Sequence, residues 1–481
     1  MTQTLYFYDL ETSGFSPREQ RIMQFAGQRT DMELKPIGEP DNYLIKLADD
    51  TLPDPDAVLL TGITPQMTIT DGITEVEFLK TFYEHIAVPG TVFLGFNSIR
   101  FDDEFMRFLH YRNFYDAYEW HWSESRGRWD MLDVVRMTRA LRPDGIEWPF
   151  DSSGVPANRL ELLASVNGLS HDHAHDALSD VHATISLAQL IRKKQPKLFD
   201  FMLTMRDKKK IAALAQGGQP FVYTSGKYPS DFHKTTVVTT LCDHPRKGGV
   251  LVYDLRHDPT PFLELKPSEL AEMWRHYCKE RPCTHPRLPV KTMQFNRCPA
   301  VAPLSVLDAQ SQKRIGLSIA EANKHAKLLT GQKKFIENVL AALELMDKDQ
   351  QARFIADEQE VDARLYDDFV GDKDKAAMSA VRAVTKDEIS TLNIDFQDDR
   401  LAGLLPLYKA RNFGKYLSDE EREVWEKFRA RKLLGGKENS RAARYFKRLG
   451  ELSEQTGLSK EKQYLLEELQ LYGQSILPVV D

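Results

Sequence analysis

The stretch Leu5-Tyr-Phe-Tyr-Asp-Leu-Glu-Thr12 decides the fold class of the N-terminal region. Its apolar residues read as a buried strand, yet Asp9 and Glu11 stand where such a strand normally carries hydrophobes. Residues i and i+2 of a strand project from one face, so both carboxylates reach the same divalent cation or pair of cations. The plain alternative is an exposed strand end, since Asp-x-Glu alone is a common tripeptide. Two later segments, Asn97-Ser-Ile-Arg-Phe-Asp102 and His175-Asp-Ala-Leu-Ser-Asp180, argue against it, because they bring further carboxylates and a histidine in a fixed order.

Working outward, 481 residues are too many for one ordinary core, so two or three domains are expected. A content of 42% hydrophobic and 28% charged residues fits a soluble globular protein. The N-terminus shows no basic region followed by an apolar stretch, and the sequence has no apolar run of about 18 residues. A cytoplasmic protein with no membrane partner is therefore expected. The net charge of -7 argues against a generally basic nucleic-acid coat protein, although it leaves room for a local basic channel.

Two zinc readings fail on spacing. Cys242, Cys278, Cys283 and Cys298 contain no Cys-x-x-Cys pair, so free thiols are expected. In His171-Asp-His-Ala-His175 the aspartate Asp176 follows the third histidine, whereas the hydrolase motif His-x-His-x-Asp-His places it before. His171 and His173 read as loop residues.

The organisation changes twice along the chain. From 1 to 192, β-rich runs such as Leu5–Tyr8 and Val92–Phe96 alternate with helical patterns, including Ala177, Val181, Ile185, Ala188 and Ile191, which is α/β in character. Arg192-Lys-Lys-Gln-Pro-Lys197 closes the last of these helices with cations and then a proline. From 197 to 349, Thr235–Leu241 and Gly249–Asp254 mark a small β-rich domain that closes with helices near 319 to 346. From 350 to 481 strand signals vanish, and Glu420–Lys432 and Lys460–Tyr472 read as amphipathic helices.

Asp-x-Glu, Asn-x-x-x-Phe-Asp and His-x-x-x-x-Asp together resemble the three motifs of the DEDD exonucleases, in the subclass with histidine in the third motif. Thr61-Gly-Ile-Thr-Pro65, Arg100-Phe-Asp-Asp-Glu104, Tyr111-Arg-Asn-Phe-Tyr-Asp116 and the two later domains extend the likeness to the bacterial exodeoxyribonuclease I family. This resemblance implies an RNase H-like exonuclease domain, an SH3-like β-rich domain and an all-α C-terminal domain closing around a strand as a C-shaped clamp. The implied activity is processive 3′→5′ hydrolysis of single-stranded DNA to 5′-mononucleotides, in DNA repair and recombination, by a monomer.

The residues themselves suit that chemistry. Two-metal phosphodiester cleavage needs an anionic cage holding cations roughly 3.5 to 4 Å apart. Asp9, Glu11, Asp102 and Asp180 supply it, and two Mg²⁺ ions suit an all-oxygen cage, with Mn²⁺ also able to fit. Asp102 is expected just after a strand and at the start of a helix, and Asp180 in the first turn of the last helix of its domain. His175 is the candidate general base, because imidazole titrates near working pH. Asn97 reads by itself as a turn residue, and its place in the family motif implies support of the metal site.

Residues 108 to 122 carry seven aromatics in fifteen positions, against 10% in the whole chain. Aromatics interleaved with arginine suit unstacked bases, at about 1 to 3 kcal/mol for each base stacked. Phe108, Tyr111 and Phe114 are expected in the core, and Tyr118 and Trp122 on DNA. By resemblance, Arg107, Arg136 and Arg159 contact the strand near the active site, as does Glu11. Lys208, Lys291, Gln294, Asn296 and Arg297 continue the track, whereas Lys209 and Lys210 read as solvated surface. The family also docks the C-terminal tail of single-stranded DNA-binding protein. Arg142 and Phe201 match part of that pocket, while Asp308 and Asn323 depart from it. Two other readings remain open from sequence: an exoribonuclease or proofreading exonuclease of the same superfamily, and a catalytically silent single-strand-binding protein.

Overall fold

In a computed structural model, which describes residues 3–170, 176–275, 286–355 and 360–478, the N-terminal run forms β1 (Thr4–Thr12). This strand pairs antiparallel with β2 (Ile22–Thr30), which in turn pairs antiparallel with β3 (Asp41–Leu44). On its other side β1 runs parallel to β4 (Thr91–Gly95), and β5 (Gly127–Asp130) completes the sheet order β3-β2-β1-β4-β5. The strand is central because Leu5, Tyr6, Phe7 and Tyr8 are buried on both faces. Phe25, Phe78, Phe82, Phe93 and Trp120 pack around it, with Phe25 and Phe78 ring centres 4.9 Å apart. Each such buried side chain contributes about 1.5–3 kcal/mol.

Two details expose the end of β1. Its pairing with β4 stops at Phe7 opposite Leu94, so Asp9 and Glu11 lie beyond the paired stretch. A Cβ on Gly95 would fall 2.5 Å from the Tyr8 carbonyl oxygen, so glycine alone lets β4 end this close to the strand.

The chain divides into two compact units. The first comprises Met1–Arg128, His171–Ile185 and Gln359–Asp481, so the C-terminal helices fold together with the N-terminal sheet. The expected helices Glu420–Lys432 and Lys460–Tyr472 lie within Asp419–Leu434 and Lys460–Ile476. Ser418, Ser440 and Ser459 cap three of the C-terminal helices, and Ser418 forms a capping box with Glu421. Phe108, Tyr111 and Phe114 are core residues, packed with Met378, Leu401 and Tyr408. Leu47, Leu52 and Val58 join a second cluster with Tyr445, Leu466 and Leu469.

Between these apolar clusters lies a buried ionic group. Asp50 accepts from Arg411 and Lys432, each at 2.6 Å. Asp362 accepts from Arg21 at 2.7 Å and Arg411 at 2.8 Å. Both carboxyls are held below their ordinary range, because the attraction of these cations outweighs burial.

The second unit, Trp129–Ser170 and Ser186–Glu358, is built on an antiparallel sheet of order β10-β6-β7-β8-β9. Its strands are β6 (Phe221–Thr224), β7 (Thr235–Asp243), β8 (Gly249–Asp254), β9 (Val290–Gln294) and β10 (Ala300–Pro303). Phe221, Tyr228, Val238, Val250 and Met293 form its core. Cys242 and Cys298 form no disulfide, and Cys278 and Cys283 lie outside the described residues. Among the described residues, no helix is long and apolar enough to cross a membrane.

Candidate active site

Asp9 and Glu11 leave β1 opposite Ala26 and Gln24 of β2, and the register shifts directly after Glu11. Beyond Gly95 the chain turns through Asn97, whose φ of 72° is a left-handed conformation that asparagine tolerates. Helix α1 (Asp102–Arg112) starts with Asp102 itself, which is buried. The next residue anchors this turn. Asp103 accepts from the Tyr8 hydroxyl at 2.7 Å and pairs with Arg128, which ties the helix start to β1 and β5.

Helix α2 (Ala177–Lys194) supplies Asp180 from its first turn. Asp176 precedes this helix and accepts from the Ser179 backbone through its side chain at 3.0 Å. Gln24 donates to Asp176 at 3.2 Å and accepts from the Ala177 backbone at 3.4 Å, so β2 holds the helix start next to Glu11. The sequence reading assigns neither Asp103 nor Asp176 a part in the site. The aspartate at the residue before a helical pattern was the available signal for Asp176.

The carboxylate oxygens of Asp9, Glu11 and Asp180 lie within 4.8 Å of one another. Among the described residues this is the one group of carboxylates, histidines and cysteines so placed. Burial, followed by the charges of Asp102, Asp180 and Asp176, raises the Asp9 carboxyl well above its ordinary range. Burial, then Asp9, Asp180 and Asp176, pushes Glu11 up to about 9. Asp102 therefore belongs electrostatically to the same group. Mutually repelling oxygen donors at a strand end fit a hard divalent cation, whose charge would offset their repulsion. His175, with His171 and His173, lies outside the described residues.

The expected substrate contacts differ in how much of each side chain is presented. In the first unit Trp122 is 60% exposed. Tyr118 is half-buried, with the Arg107 guanidinium 5.4 Å from its ring centre. Arg107 itself is buried, donating to Glu104 at 2.6 Å and bonded to the Tyr366 hydroxyl at 3.4 Å. The Glu104 partner lies one helical turn away on the same helix, whereas Tyr366 is 259 positions distant and no local pattern links it to Arg107.

In the second unit Arg159 is exposed and lies 3.4 Å from Glu161, while Arg136 donates to Asp133 at 2.7 Å. Lys208, Asn296 and Arg297 are exposed, and Gln294 is half-buried at the end of β9. Lys209 and Lys210 are exposed as expected. Lys291 is the least solvated: its Nζ sits 3.2 Å from the Tyr228 ring centre without a hydrogen-bond partner, and burial brings it down to about 7. Arg142 pairs with Asp308 at 3.1 Å, and Phe201 is half-buried against the sheet core.

Comparison with known proteins places all three segments. An exonuclease family model matches residues 6–188, that of the Exonuclease I SH3-like domain matches 206–344, and that of the Exonuclease I C-terminal domain matches 359–476. Exodeoxyribonuclease I of Escherichia coli is 38% identical over 481 residues, covering 98% of each chain. A crystal structure of E. coli Exonuclease I with a dA16 oligonucleotide superposes with a TM-score of 0.91 at 38% identity, covering 99% of this chain and 100% of that one. A structure of SSB/Exonuclease I with an inhibitor gives 0.88 at 37% identity, with the same coverage.

Proposed function

The chain belongs to the exonuclease I family, and from that premise we propose that it hydrolyses single-stranded DNA from the 3′ end, releasing 5′-mononucleotides with two Mg²⁺ ions held by Asp9, Glu11, Asp102 and Asp180. The observation that carries this reading is the convergence of Asp9, Glu11 and Asp180 oxygens within 4.8 Å, with the Asp102 charge acting on the same group. Mn²⁺ fits the same donors. When bound, divalent cations lower the pKa of a water and stabilise charge on the attacking and leaving oxygens.

The chain's own residues do the rest. His175 accepts the proton as water oxygen bonds to phosphorus, and the phosphorus–O3′ bond breaks, leaving a strand shortened by one nucleotide. Trp122 and Tyr118 offer ring faces to unstacked bases. Arg107, Arg136, Arg159, Lys208, Lys291, Gln294, Asn296 and Arg297 contribute phosphate and sugar contacts. Arg142 and Phe201 form part of a dock for the tail of SSB, supported by the solved complex of SSB with Exonuclease I. The working division is 1–192, 197–349 and 350–481, in line with the three family matches. The enzyme acts as a cytoplasmic monomer in repair and recombination.

The test compares single-stranded DNA, blunt duplex and RNA of one sequence. Single-stranded DNA is expected to be degraded fastest, and Trp122→Ala to weaken its binding by about 1 to 3 kcal/mol with little dependence on base identity. Equal digestion of blunt duplex would refute the substrate class. Equal digestion of RNA would favour the exoribonuclease reading.

A further inference from the structure

The buried ionic group of the first unit contains an arginine with no carboxylate on it. Arg112, at the end of α1, is 2% exposed, and its Nη1 donates to the Pro17 carbonyl oxygen at 3.2 Å. Its Nε and Nη2 have no hydrogen-bond partner. The same is true of Arg21 Nε and Arg411 Nε. Four guanidinium nitrogens of three buried arginines are thus left unsatisfied within one cluster, where a donor without an acceptor costs about 1–3 kcal/mol, and more when it is charged.

The charge count points the same way. Arg21, Arg112, Arg411 and Lys432 face Asp50, Asp362 and Glu75, and all seven are buried or nearly so. Glu75 is directed to Asn113 Nδ2, at 2.7 Å, instead of to a guanidinium. One positive charge remains unbalanced. Burial and the neighbouring Arg21 bring Arg112 down to about 9, which marks a cation short of a counter-charge.

We infer that a single small monovalent anion, chloride in solution, binds in the buried ionic group against Arg112 Nε and Nη2, with Arg21 and Arg411 beside it. One such anion closes the charge count and accepts from the unsatisfied donors. It ties the end of α1 to the start of β2 and to the C-terminal helix that carries Arg411. Arg21 is also hydrogen-bonded through its backbone to Ser13, two residues beyond Glu11, at 2.8 Å in both directions. The anion therefore braces the turn that follows the catalytic strand.

Bromide is the probe. In crystals of the full chain grown with bromide replacing chloride, an anomalous peak is expected within hydrogen-bond distance of Arg112 Nη2, and it should disappear in Arg112→Met. In solution, replacing chloride by gluconate at constant ionic strength should lower the wild-type Tm by about 2–4 °C and leave Arg112→Met unmoved. A water without anomalous signal at Arg112, or an identical anion response in both proteins, would overturn the inference. Neither readout depends on nuclease activity, so failure here leaves the proposed function standing.

Discussion

Two groups of carboxylates in the same unit, one half-buried and one fully buried, respond to desolvation in opposite ways. Asp9 and Glu11 are pushed up because their nearest charged neighbours are Asp102, Asp176 and Asp180. Asp50 and Asp362 are held down because Arg411, Lys432 and Arg21 surround them. Desolvation penalises both groups equally in kind, so the sign of the partners decides the outcome. The ionic group serves the fold: its carboxylates were completed by side chains. The cage was left incomplete, which is stable only if something positive arrives from outside the chain.

Removing a carboxylate should therefore have opposite consequences in the two places. The largest expected effect on stability is at the ionic group, where Asp362→Ala strands Arg21 and Arg411 and should lower the unfolding free energy by about 3–5 kcal/mol, measured by urea denaturation. A loss below about 1 kcal/mol would show that the cations relax to solvent. At the cage, Asp9→Ala, Glu11→Ala, Asp102→Ala or Asp180→Ala should reduce cleavage at least about a hundredfold, roughly 2.7 kcal/mol, while Tm in the absence of metal stays level or rises as repulsion is relieved. Near-normal turnover in any folded variant would remove that residue from the site.

The smallest effect is the pH dependence of stability. In chelator, the folded Glu11 keeps its proton up to about 9, whereas the unfolded residue loses it near 4.5, so the folded state binds more protons between these values and stability should fall as pH rises through that window. Asp50 works in the other direction. Its folded carboxyl ionises well below the ordinary 3.8, so its contribution is present above that value and is lost as pH falls below it. Thermal unfolding across pH in chelator should show both limbs, with the alkaline decline reduced in Glu11→Gln. A flat alkaline limb would mean that the cage carboxylates are already relieved by solvent.

The placement of these carboxylates was readable from sequence because it obeys local rules. Two carboxylates at i and i+2 of an apolar strand share a face, and Asp102 and Asp180 fall where a helix begins. The β-rich runs of the second unit and the C-terminal helices were likewise visible, in composition and in amphipathic spacing, whereas the SH3-like assignment came from the family resemblance. What stayed hidden is non-local. The ionic group joins Arg21 to a residue 341 positions away, and no periodicity links them. The same limit applies in part to Arg107 and Lys291: sequence marks them as cations for phosphate, and although Glu104 lies one helical turn from Arg107, only tertiary packing puts Arg107 against Tyr366 and Lys291 over a tyrosine ring. Asp103 and Asp176 each stand beside a motif position, and their work lies in holding that neighbour, which no motif announces.

The central claim, that an incomplete carboxylate cage becomes a nuclease when cations fill it, is tested most directly by following a 5′-labelled single strand under single-turnover conditions with Mg²⁺ titrated against chelator. The account predicts no cleavage in chelator and, with Mg²⁺, a ladder that shortens one nucleotide at a time from the 3′ end. Cleavage at an undiminished rate in chelator, or internal cuts from the start, would contradict it.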